Sequence, residues 1–95
     1  MIDKKESVYK LFQLEQALNY LPDDVEIHNL MASGSIESKP MIHIHCEDEA
    51  AFERMAGDSP VMEDSAQASL GAKRLYFIAG NTGVVVLAVF LEEMA

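Results

Sequence analysis

The sequence predicts an α+β domain with the element order αββαββ. Three observations carry that expectation. One segment near the N-terminus repeats its apolar residues at helical spacing, and four later segments alternate or are rich in β-branched and aromatic residues. Those four fall into two pairs, and a short acidic-headed helix pattern separates the pairs. Paired strands with short connections imply a four-stranded, largely antiparallel sheet with both helices on one face. With 95 residues the chain is long enough for one core and too short for two, so residues 1–95 are read as a single domain.

The first helix is announced by Asp3 and Glu6, spaced as in a capping box, followed by Val8, Leu11, Phe12, Leu14, Leu18 and Leu21 as an apolar stripe. Pro22 disfavours helical geometry at Leu21, and Pro-Asp-Asp is turn chemistry, so the helix is expected to end between Asn19 and Leu21. From Val25 the period becomes two. Val25, Ile27, Asn29 and Met31 should face one way, and Glu26, His28 and Leu30 the other.

A polar stretch, Ala32 to Lys39, leads through Pro40 into Met41 to Cys46, where Ile42, Ile44 and Cys46 alternate with Met41, His43 and His45. These two segments are expected to form an antiparallel hairpin. Glu47, Asp48 and Glu49 then complement a helix N-terminus, Ala51, Phe52 and Met55 make a short stripe, and Gly57 can close it. Asp58 to Gly71 is acidic and rich in small residues, and is expected to be a connecting loop. Lys73 to Ala79 and Val84 to Leu91 flank Gly80-Asn81-Thr82-Gly83, which is the chemistry of a hairpin turn.

Composition narrows the function classes. Hydrophobic residues at 49% and charged residues at 24% are ordinary globular usage, so a folded core is expected. Sixteen acids against seven Lys and Arg give a formal charge of −9, which repels phosphate backbones, so no direct nucleic-acid binding is expected. The opening residues lack an apolar signal core, and the longest apolar run, Val84 to Leu91, is far short of a membrane span. A cytoplasmic setting without membrane attachment follows as an expectation, and a single cysteine, Cys46, fits a reducing compartment.

Three patterns point to chemistry. In the last strand both alternating sets are apolar, and its partner strand is similar, so this hairpin needs a cover on both faces. Two helices on one face supply one cover. The other is either the loop from Asp58 to Gly71 folded back through Val61, Met62 and Leu70, or a second copy of the chain. The self-association surface would then be Tyr76, Ile78, Val85, Leu87 and Val89.

The second pattern is in the first hairpin. A symmetric register sets His28 opposite His43 and Glu26 opposite His45 on one face, a donor set able to complete a zinc shell; without zinc no cofactor is expected. The plainer reading is the polar face of an amphipathic hairpin. Cys46 has the opposite parity and is expected to be an inert, inward thiol.

The third pattern is acidic. Between Glu47 and Asp64 seven acids face a single Arg54, and Glu47, Asp48, Glu49, Glu53, Glu63 and Asp64 could imitate a phosphate backbone toward a basic partner. No Gly-X-Ser-X-Gly elbow or phosphate loop is present, and adjacent carboxylates such as Glu92 and Glu93 do not make an acid/base pair. The expected function is therefore non-catalytic: a small acidic protein-interaction or regulatory module, self-associating as a homo-oligomer. The alternatives are an acidic, nucleic-acid-mimicking inhibitor of a basic, nuclease-type partner, of the sort phage and mobile elements carry, and a zinc-binding protein.

Overall fold

Asp3 starts the first helix as its spacing to Glu6 requires: Oδ1 accepts the Glu6 amide at 2.8 Å, and α1 runs Lys4–Tyr20. Pro22 holds Leu21 in extended geometry, at φ −76 and ψ 152, and the helix stops there. The computed structural model describes residues 3–34, 36, 38–64 and 71–91. After α1 come β1 (Glu26–Met31), β2 (Met41–His45), α2 (Glu49–Ala56), β3 (Met62–Glu63), β4 (Ala72–Ile78) and β5 (Val85–Leu91). Asp48 caps α2 by accepting from the Ala51 amide at 2.7 Å, and Gly57 closes it at φ +60, a conformation that favours glycine.

The class is α+β, but the sheet is five-stranded and mixed, not four-stranded and antiparallel. Its order is β1-β2-β5-β4-β3, with β2 and β5 parallel and the other neighbours antiparallel. The reason lies in hydrophobicity. The strand with no polar face takes the centre of the sheet, where both faces are covered, and the first hairpin docks along it through β2. The fifth strand, β3, falls where a connecting loop was expected. Two residues are too few to show a period, and β3 closes the edge by pairing Met62 with Tyr76 and Glu63 with Leu75.

Both helices pack on one face. Leu14, Ala17 and Leu21 from the α1 end, with Phe52 and Ala56 from α2, share one core with Ile42, Ile44, Leu75, Phe77, Val86, Ala88 and Phe90. The Phe52 ring meets Phe77 at 5.1 Å and Phe90 at 5.9 Å, both in tilted or edge-on contact. Burying each such side chain contributes about 1.5–3 kcal/mol, so α2 is held chiefly by one aromatic residue.

The opposite face has its own cluster of Met41, Val85 and Leu87, against which Met31, Ile36, Tyr76 and Ile78 pack. Of the described residues from Asp58 to Gly71, none is among the apolar side chains packed against this cluster. Val61 packs on the helix side, Met62 is exposed, and Leu70 lies outside the described residues. The stretch between β1 and β2 supplies the cover instead, through Ile36. It is pinned by the Gly34 amide donating to the Lys39 carbonyl at 2.8 Å and by the Lys39 amide donating to Ile36 at 3.0 Å. A Cβ on Gly34 would stand 2.9 Å from the Met41 Cβ, so glycine permits this close approach.

Candidate functional site

In β1 the strict alternation fails. Glu26 pairs with His45 as the symmetric register requires, but the register shifts between Ile27 and Asn29, so His43 stands opposite Asn29 and not His28. Such a shift places an extra residue on one strand and re-aims its side chain. Ile27 and Leu30 thus pair with Ile44 and Ile42, whereas Asn29 and Met31 pair with His43 and Met41. The strand is also an edge, exposed along most of its length.

The bulge nonetheless brings the three imidazoles together. The His28 ring stacks on His45 at 5.4 Å and 16° and meets His43 at 5.5 Å and 57°. Glu26 Oε1 lies 3.9 Å from His28 Nε2. Stacked rings present their nitrogens around separate rims, whereas a zinc shell needs them aimed at one point about 2.0–2.1 Å away. Among the described residues no group of three or more His, Cys, Asp or Glu side chains is disposed to hold a metal ion. The donor set therefore does not fit zinc in this arrangement. His43, paired in register with Leu87, has its pKa lowered from 6.5, first by burial and then by the neighbouring His28 and Arg74.

On the second hairpin, the five residues read as a self-association surface divide. Val85 and Leu87 are buried within the single chain, Tyr76 and Ile78 are half-buried, and Val89 is 38% exposed. The six acidic residues divide too. Glu47, Asp48, Glu53 and Glu63 are exposed, but the Asp48 carboxylate caps α2. Glu49 Oε1 lies 3.3 Å from Lys73 Nζ, and Asp64 Oδ2 lies 3.6 Å from Arg74 Nε with both atoms buried. Cys46, half-buried against the helix-side core, gives its thiol to the Asp48 carbonyl at 3.5 Å.

One exposed apolar surface is concealed in the sequence pattern. Of the α1 stripe, Leu14 and Leu21 are buried, but Val8, Leu11, Phe12 and Leu18 are exposed at 59%, 61%, 54% and 37%. Ala17, buried completely, sits nine residues after Val8, which is two and a half turns and hence the opposite side of the helix. The helix rests on the sheet by the narrow Leu14, Ala17 and Leu21 strip and turns a second apolar stripe to solvent. Counting Ala17 as a core position would have revealed the division.

Two grooves border these surfaces. One, of about 430 Å³, lies between α1 and the β4–β5 turn, with Tyr9, Phe12, Tyr20, Gln16, Asn19 and Asn81 among its lining and no carboxylate or cation. Gln13 Nε2 donates to the Thr82 carbonyl at 2.9 Å, and the Tyr20 hydroxyl donates to the Ala56 carbonyl at 3.2 Å, so its walls are braced. The other, of about 400 Å³, passes Asp24, Glu26, Glu47 and Asp48 beside His45 and Cys46. Compared with known proteins, the chain matches no family model, no curated protein and no solved structure. Its own geometry carries the functional argument. Among the described residues no helix is long and apolar enough to cross a membrane.

Proposed function

We propose that this protein is a small acidic, non-catalytic interaction module of the cytoplasm, and that it contacts a protein partner through the outer face of α1. One observation carries the reading: Val8, Leu11, Phe12 and Leu18 stand in water at helical spacing on a helix whose inner side already has its core contacts. Large apolar residues gathered on one face, rather than scattered singly, mark a docking surface. The flanking Tyr9, itself 61% exposed, widens that face toward the groove beside the β4–β5 turn.

The inhibitor alternative draws on Glu47, Glu53 and Glu63, which remain exposed and without an ion-pair partner among the described residues. It has less support, because Glu49 and Asp64 are engaged with Lys73 and Arg74. Binding of that kind would weaken steeply with added salt, whereas docking on an apolar helix face would not.

The test is site-specific photocrosslinking in the cells that make the protein. A benzophenone amino acid at Leu11 or Phe12 is expected to give discrete adducts, and the same group at Asp23, in the turn after α1, is expected to give none. Equal labelling from all three positions, or no adduct from any, overturns the reading.

A further inference from the structure

We propose that the occupant of the α1 outer face is a second copy of this chain, docked antiparallel about a two-fold axis. The inference rests on the reading above and specifies its partner. Lys4, Val8, Leu11, Glu15 and Leu18 are separated by alternating steps of four and three residues, and every one of them is exposed. That spacing is the seam of a helix pair, in which two such rows interlock. Phe12 flanks the seam and extends its apolar width.

The two charges within the seam decide the orientation. When two copies of the row run antiparallel, the layer that sets Val8 against Leu11 of the other copy also sets Lys4 against its Glu15. Each apolar contact then occurs twice and each opposite-charge contact occurs twice, as a two-fold axis requires. A parallel pair would instead oppose Lys4 to Lys4 and Glu15 to Glu15, which is unfavourable at both layers. The overlap from residue 4 to residue 15 is about 18 Å of helix.

Net charge favours the same surface. The whole chain carries −9, so two copies repel one another over most approaches. Helix α1 does not share that excess, with Lys4, Lys5 and Lys10 against Glu6 and Glu15. The acidic run from Glu47 to Asp64 lies on and around α2 and β3, outside α1. Meeting through α1 therefore brings no net negative charge from that helix to the contact.

Sedimentation equilibrium of the purified full chain, from low micromolar concentration upward, is expected to show a reversible species of twice the 10.5 kDa chain mass. Leu11→Asp should abolish it. Lys4→Glu alone and Glu15→Lys alone should each weaken it at least about tenfold, and Lys4→Glu combined with Glu15→Lys should restore it, because the exchange preserves every antiparallel pair. These positions are exposed, so the far-UV circular dichroism spectra of all four variants should match that of the parent chain.

A monomer at every concentration overturns the proposal, as does a dimer indifferent to Leu11→Asp or a double exchange that fails to recover association. A monomeric chain that still gives adducts to a different protein from Leu11 removes this inference and leaves the module reading standing. A monomeric chain without adducts removes both.

Discussion

The two faces of the sheet are sealed in different ways, although the same central strand supplies both. On one side Val84, Val86, Ala88 and Phe90 lie under two helices, with Phe52 wedged between Phe77 and Phe90. On the other, Val85 and Leu87 are as deeply buried, yet among the described residues they pack with Met41 and the half-buried Met31, Tyr76 and Ile78 of neighbouring strands, and with Ile36 from an irregular connection. The helix side is a core built from large interlocking side chains. The far side is a thin lid, and beyond it the surface turns to imidazoles and Val89. Deep burial of a side chain therefore does not require a packed layer above it; a few well-placed atoms suffice.

The contrast can be broken first at its strongest point. Phe52→Ala should cost about 3–5 kcal/mol in chemical denaturation, because it removes the one aromatic that holds α2 and leaves a cavity between two other rings. A loss well below that would mean that α2 repacks and the helix side is no tighter than the lid. On the far side, Leu87→Ala is expected to cost about 2–4 kcal/mol, toward the lower part of the range for such truncations, since a thin cover can collapse into the space. Equal losses at the two sites would erase the distinction.

A subtler perturbation addresses the lid alone. Gly34→Ala should destabilise by roughly 1–3 kcal/mol, since the new methyl would press on the Met41 Cβ at 2.9 Å and lift the connection from Met41. Unchanged stability in a thermal melt would show that the connection does not bear on the core. Asp48→Ala, which removes the cap of α2, should cost about 0.5–2 kcal/mol on the helix side and leave far-side hydrogen exchange untouched.

The smallest expected effect is the pH dependence of the far side. His43 titrates below its ordinary value of 6.5 in the folded chain, because burial, His28 and Arg74 all disfavour its charged form. The unfolded chain then binds the proton more readily, so this contribution to stability is present above pH 6.5 and is lost as pH falls through the folded value. His43→Leu should remove that dependence. A stability profile between pH 7 and 5 that is the same for both proteins would assign any acid sensitivity to other groups.

Much of this was legible in the chain. Asp3 as a cap, the acidic start of α2, Pro22 as a stop and the hairpin turn between Gly80 and Gly83 are local facts, each settled by a few neighbouring atoms. The need of β5 for two covers was legible as well, since both of its faces are apolar. The identity of the second cover was not, because Ile36 stands alone in a polar stretch and only its position over Met41 gives it that role. The histidines were legible as neighbours but not as a stack. A one-residue register shift leaves no trace in composition, and it decided which residue His43 faces.

By itself the sequence determined the number and kind of the long elements, their ends and the surplus of apolar side chains, because caps, turns and periodicity act over a few residues. The tertiary structure alone decided that β5 sits at the centre beside β2, that Met62 and Glu63 form an edge strand, and which side of α1 meets the core. Those outcomes follow from competition among distant segments for the same buried surface. A helix with two apolar stripes can bury either one, and only the shape of the sheet beneath it chooses.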